Sequence, residues 1–101
     1  MLRKELKGKQ KSFLRSMGMT LEPVVQIGKE GVTPEVVESA REAIKKRELI
    51  KVKVLQNSPE EVEGAIEKLA ERVDCELVQV IGRCGLLYKK NNEKPKIELP
   101  K

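Results

Sequence analysis

Gly28-Lys29-Glu30-Gly31 lies between an apolar run, Pro23 to Ile27, and a helix start announced by Thr33-Pro34-Glu35. Glycine at both ends of this turn lets the chain take positive φ and come close to a ligand. The first turn of the following helix offers unpaired N–H groups at the positive end of its dipole. This is chemistry for holding an anion. Lys29 brings a cation to the tip, and Glu30 opposes it with a carboxylate, which is expected to point away or to pair with a lysine. Further cations recur at spacings that suit a long anion: Lys4, Lys7, Lys11 and Arg15 along a helical face, Lys51 and Lys53 alternating on a strand, and Arg83 in a second turn, Gly82-Arg83-Cys84-Gly85. The anion such groups would share is a nucleic-acid phosphate chain.

Other chemistries lack their parts. The chain has no histidine to act as a base near neutral pH, and neither a GxxxxGK[ST] nor a GxGxxG motif occurs. Catalysis is therefore not expected, nor is a cofactor or a small-molecule substrate. Without histidine or a paired C-x-x-C, neither a zinc site nor a thioredoxin-type redox motif has its ligands, and no metal site is expected. Cys75 and Cys84 flank a predicted hairpin, on the order of 20 Å apart at ~3.3 Å per residue, too far for a disulfide. Phe13 and Tyr88 are the only aromatic residues, so binding by stacking bases on rings is disfavoured and selectivity should come mainly from nucleic-acid shape. No stretch approaches the roughly 20 apolar residues of a membrane span, and the N-terminus lacks an apolar signal core, which reads as a cytoplasmic protein.

At 101 residues, 39% hydrophobic and 37% charged, the chain suits one folded domain with a heavily charged surface. Its net charge of +5 is unevenly distributed. Residues 1–19 carry +5, residues 20–57 carry +1, residues 58–76 carry −5 and residues 77–101 carry +4. A fold that separates these segments would steer polyanions to one side and repel them from the other.

The elements that must position the cations follow from periodicity. Leu6, Phe13 and Met17 share a narrow helical arc and predict an amphipathic first helix, with Gly18 as its left-handed stop and the basic stripe on another arc. Pro23 to Ile27 predicts a strand. Thr33 as N-cap and Pro34 at the first helical position open a second helix with an apolar stripe of Val36, Val37, Ala40, Ala43 and Ile44. Leu49 to Val54 alternates with period two and places Ile50, Val52 and Val54 opposite Lys51 and Lys53. Ser58-Pro59-Glu60-Glu61 has the form of a capping box before a third helix, whose outer face is acidic. Glu76 to Ile81 and Leu86 to Lys89 predict a terminal hairpin, in which the glycines of the second GxxG serve turn geometry and Arg83 is a basic tip. Residues 1–90 form the domain. Residues 91–101 form a basic, flexible tail in which Ile97 and Leu99 are candidates to dock locally. The expected fold is α/β, a two-layer arrangement of a four-stranded mixed sheet and three helices in the order α-β-α-β-α-β-β. Each strand-helix-strand step is expected to join parallel neighbours.

Gly28-Lys29-Glu30-Gly31-Val32-Thr33, then Glu48-Leu49-Ile50-Lys51-Val52-Lys53-Val54, then Val80-Ile81-Gly82-Arg83 followed by Leu87-Tyr88-Lys89, resembles the CRM domain, the YhbY-like family of RNA-binding proteins. The similarity covers nearly the whole chain, and its three segments keep the family's order and spacing. The resemblance implies a fold related to the C-terminal domain of bacterial translation initiation factor 3. It implies a stand-alone bacterial protein associated with precursors of the large ribosomal subunit, with relatives that serve intron splicing in plant organelles. It places the family's GxxG loop on Gly28, Lys29, Glu30 and Gly31 and its basic strand on Lys51 and Lys53.

The expected function is non-catalytic RNA binding through the phosphate backbone, with ribosomal RNA in large-subunit precursors as partner and the protein a monomer. The footprint comprises Gly28, Lys29, Glu30, Gly31, Lys4, Lys7, Lys11, Arg15, Lys51, Lys53 and Arg83. The alternative is a protein-binding adaptor whose basic surface engages an acidic partner such as a ribosomal protein.

Overall fold

Seven elements, α1 (Gly8–Gly18), β1 (Pro23–Ile27), α2 (Pro34–Arg47), β2 (Leu49–Val54), α3 (Val62–Val73), β3 (Glu76–Ile81) and β4 (Cys84–Tyr88), follow one another in the order expected from periodicity. The structure, a computed structural model, describes residues 8–91, 93 and 97. The strands form one mixed sheet in the order β1-β2-β4-β3. β1 runs parallel to β2, and β4 is antiparallel to both β2 and β3. The expectation of parallel neighbours therefore holds for β1-α2-β2 and fails for β2-α3-β3, because β4 lies between β2 and β3. Burial explains the insertion. Gly85 to Tyr88 are all buried, as a central strand requires, whereas β3 is largely half-exposed and suits an edge.

The sheet has two unlike faces. Ile50, Val52 and Val54 of β2 join Val25, Ile27 and Leu87 against Val37, Ala40 and Ile44 of α2 and Ala65, Ile66, Leu69 and Val73 of α3. Burial of each large aliphatic side chain there contributes about 1.5–3 kcal/mol. The sheet and these helices make the two expected layers. On the opposite face α1 covers a smaller cluster of Leu14, Leu49, Val78, Leu86 and Tyr88, edged by Leu21 and Ile97.

Helix α1 presents a different arc from the expected one. Leu14 and Gly18 are its buried residues, while Phe13 and Met17 remain 38% and 36% exposed. Gly18 decides the docking: a Cβ there would stand 2.3 Å from Leu86 Cδ1, so only glycine lets the helix end come this close. Its role is packing, not a left-handed stop, since the glycines with positive φ are Gly31 and Gly82.

Two boundaries also move. The capping box before α3 does not form: Ser58 Oγ accepts a local hydrogen bond from Glu60 N–H at 3.3 Å, Glu60 pairs with Lys68, and the helix starts at Val62 with Glu61 as a cap lacking a side-chain bond. β4 begins at Cys84, two residues earlier than expected. The turn is then Gly82-Arg83 alone, with Gly82 at φ 58°, the φ pattern of a type II′ hairpin turn.

Glu48 is the buried charged residue of the described chain. It ends α2 at φ 65°, and its N–H donates to Ile44 O at 2.8 Å. Its carboxylate accepts from the backbone N–H groups of Asn91 at 2.7 Å and Ile97 at 2.6 Å, and its carbonyl accepts from Lys89 N–H at 2.9 Å. Backbone donors thus satisfy the carboxylate, which is how a buried acid is tolerated.

Candidate nucleic-acid interface

The glycine loop leaves the C-terminal end of β1, where Leu55 N–H donates to Ile27 O at 2.8 Å and holds the end of β2 alongside. Gly31 N–H closes the turn on Gly28 O at 3.0 Å. The two glycines do not play the same part. Gly31 has φ 73° and is buried beside Pro59, with ordinary contact room at 3.4 Å for a Cβ, so it is conformation that requires glycine there. Gly28 has ordinary φ and meets only Leu55 at 3.7 Å. Thr33 then caps α2 as expected, its Oγ1 accepting from Val36 N–H at 3.2 Å. Lys29 and Glu30 stand exposed at the tip, and Glu30 makes no ion pair among the described residues.

Arg83 comes to the same end of the sheet. Its Nε donates to Val54 O at 2.9 Å and its Nη2 to Leu55 O at 2.7 Å, while Val54 N–H donates to Arg83 O at 2.7 Å. The β3–β4 turn is thereby tied to the segment beside the glycine loop. Two of the five guanidinium donors are committed to this tie, and the half-exposed remainder stays available.

Strand register defines the surface between these points. Leu49 lies in the α1-side cluster, so Lys51 and Lys53 face the same way by the period of two. Cross-strand pairing then aligns Gln26, Lys53, Cys84 and Ile81 in one row, and Lys51, Leu86 and Gln79 in the next. α1 covers Leu86 and the rows behind it and leaves Lys53, Gln26 and Ile81 open to solvent. Arg15 and Met19, at the end of α1, line a shallow depression with Lys51, Gln79, Ile81, Cys84 and Leu86. Lys11, one turn before Leu14, is half-buried, so its stretch of the basic stripe lies on the flank toward the sheet.

Of the expected footprint, Arg15, Lys51 and Lys53 therefore share one sheet face, with Lys11 on the adjoining helix flank. Gly28, Lys29, Glu30, Gly31 and Arg83 gather at the end of the sheet. Lys4 and Lys7 lie outside the described residues. Gln79, Ile81 and Met19 were not among the candidates. Alternation within β3 was a signal for the first two, obscured by the irregularity between Leu77 and Gln79. The exposed carboxylates Glu63, Glu67 and Glu71 lie on α3, across the sheet from Lys51 and Lys53. A broader concavity of about 360 Å³ between α2 and α3 is a strut: Arg41 bonds Glu38 at 3.0 Å and Arg72 O at 3.2 Å.

The fold and this surface define a small α/β domain with a cationic, half-open sheet face and a glycine turn at its end. Residues 6–89 match the CRS1/YhbY (CRM) domain, and the chain belongs to that family. It is 46% identical over 95 residues to "Probable RNA-binding protein YqeI" of Bacillus subtilis, covering 94% of this chain and 99% of that one. It is 36% identical over 96 residues to "RNA-binding protein" of Haemophilus influenzae, covering 95% and 96% of the two chains. The solution structure of the hypothetical protein SAV1595 from Staphylococcus aureus superposes with a TM-score of 0.72 at 40% identity, over 95% of this chain and all of that one.

Proposed function

We propose that this chain is a non-catalytic RNA-binding protein that grips the phosphate backbone of structured ribosomal RNA in the cytoplasm, on precursors of the large ribosomal subunit. The observation that carries the reading is the register that turns Lys51 and Lys53 toward the α1 side, beside Arg15, with the acidic face of α3 on the other side of the sheet. Such a surface draws a polyanion to the α1 side and away from α3. The Lys29 ammonium and the glycine-turn backbone meet a phosphate at the end of the sheet, and Lys51, Lys53, Arg15 and Lys11 follow the backbone across it. The family and the names of its relatives supply the class of ligand. The ribosomal assignment rests on the family resemblance.

Binding of fragments of large-subunit ribosomal RNA across a salt series tests this reading. Affinity falls linearly on logarithmic axes, and Lys29→Ala, Lys51→Ala and Lys53→Ala each flatten the slope by about one unit. Unchanged affinity and slope in all three would remove the proposed footprint. Crosslinking in cell extract should recover large-subunit ribosomal RNA; recovery of none would leave the surface to an acidic protein.

A further inference from the structure

We propose that the uncovered half of the α1-side sheet face is a nucleobase-contacting subsite, so that the protein prefers RNA with unpaired nucleotides over fully paired duplex; this rests on the RNA-binding reading above. Phosphate contacts alone need only exposed cations. This face holds more than cations. Ile81 is 62% exposed and Met19 83% exposed, the two most exposed large apolar side chains among the described residues, and both border the depression that contains Arg15 and Lys51. Exposed apolar groups set among cations match a ligand whose charge and flat apolar surface alternate at short range, as phosphate and base do in an unpaired strand. In a paired helix the base faces are hidden in the stack, and Ile81 and Met19 would gain nothing from contact.

The cross-strand rows provide places for both parts of the nucleotide. Lys53 and Lys51 sit on adjacent rows of the central sheet, with Arg15 above them on the helix end, and take the phosphates on either side of one residue. Ile81, next to Cys84 on the Lys53 row, and Met19 take the apolar face of the base. Gln79, on the Lys51 row, is half-exposed and carries an amide that both donates and accepts, the group suited to a base edge. Aliphatic and thioether groups do here what aromatic rings do on other sheet surfaces. This chain offers none: Phe13 lies on α1 outside the depression, and Tyr88 is buried.

The test compares one stem-loop RNA carrying an unpaired loop with a blunt duplex of the same stem, at one salt concentration and across a salt series. Wild type should bind the stem-loop about tenfold more tightly, and Met19→Ala/Ile81→Ala or Gln79→Ala should erase that preference. Their duplex affinity and salt slope should not change. Lys53→Ala should weaken both RNAs together and flatten both slopes. Met19 and Ile81 are solvent-exposed, so thermal melting of the double variant should match wild type and separate binding from folding. Equal wild-type affinity for the two RNAs, or a preference that survives these substitutions, would overturn the subsite and leave phosphate binding standing. Failure to bind either RNA would overturn both. Self-association that disappears in Met19→Ala/Ile81→Ala, with RNA preference intact, would assign the patch to a second copy of the chain and also overturn the subsite.

Discussion

On one side of the sheet α2 and α3 seal an aliphatic core, with exposed carboxylates along α3; on the other, α1 covers half of a basic surface through little more than Leu14 and Gly18. Both faces come from the same four strands, and the alternation in β2 divides them, with Ile50, Val52 and Val54 on the closed side and Leu49, Lys51 and Lys53 on the other. Stability is concentrated in the closed face, which leaves the open one able to carry exposed cations and apolar groups that add little to folding. Substitutions on the two faces should therefore produce separable effects.

Reversing charge on the open face should have the largest consequence. Lys51→Glu/Lys53→Glu removes two cations from the proposed path and adds two repulsive groups, which should lower affinity for structured RNA about 100-fold at moderate salt. Glu63→Lys/Glu67→Lys makes a charge change of equal size on α3 and should alter affinity by less than about threefold, because those groups lie across the sheet. Filter binding of both variants to one RNA, with their thermal midpoints, decides the matter. A gain from the α3 variant as large as the loss from the β2 variant would mean that net charge, not the location of the cations, governs binding.

The closed face should respond in the opposite way. A Cβ on Gly85 would stand 2.6 Å from Ile66 Cγ2 and 2.9 Å from its Cγ1, and Ile66, on the inner face of α3, is fully buried. Gly85→Ala should destabilise by about 2 kcal/mol in urea unfolding and leave RNA affinity of the folded protein unchanged. Adding Ile66→Ala removes both of those carbons, so the double variant should be less destabilised than the sum of the two single variants. Independent, additive losses from the two substitutions would show that α3 does not press on β4 as described.

Arg83 belongs partly to each role, and its prediction is smaller. Arg83→Lys keeps the charge and loses the forked pair of bonds to Val54 O and Leu55 O, so stability should fall by about 1 kcal/mol while the salt slope of RNA binding persists. If Arg83→Ala then flattens the slope by about one unit, the guanidinium touches phosphate as well as backbone.

What sequence patterns revealed follows the same division. Periodicity located the strands and helices of the closed core, where long apolar stripes admit one reading, and Thr33-Pro34 marked the start of α2 because cap and first-turn chemistry is local. The buried arc of α1 is not legible in the sequence, because its docking depends on the absence of a side chain at Gly18, which a hydrophobic pattern does not register. The place of β4 between β2 and β3 was hidden because chain order says nothing about which strand is most buried. Lys51 and Lys53 were legible as site candidates from alternation. Glu48 was not legible, since its carboxylate partners lie 43 and 49 residues further along the chain. Nor was the sharing of one surface by Gln79, Ile81 and Met19, which depends on register across β3 and β4 and on the turn after α1.

The smallest effect concerns the part of the α1 side that is closed. Tyr88 is 3% exposed, and its hydroxyl has no hydrogen-bond partner among the described residues. Burial raises its pKa above the ordinary value near 10, and the Glu48 carboxylate raises it further. A phenol that ionises later in the folded state than in the unfolded chain keeps its full contribution to stability below pH about 10. It loses that contribution as pH climbs through the window above, where the unfolded state has released the proton and the folded state still holds it. The slope there reaches at most about 1.4 kcal/mol per pH unit. Tyr88→Phe removes both the unsatisfied hydroxyl and this proton, so it should be neutral or stabilising by up to about 1 kcal/mol at neutral pH. Above pH about 10 its stability should decline less steeply than that of wild type. Tyr88 is the single tyrosine of a chain without tryptophan, so ultraviolet difference absorbance follows its ionisation directly in the folded protein. A midpoint at the ordinary phenol value, or parallel alkaline stability curves for the two proteins, would mean that water reaches the hydroxyl and that α1 seals its half of the sheet less completely than α2 and α3 seal theirs.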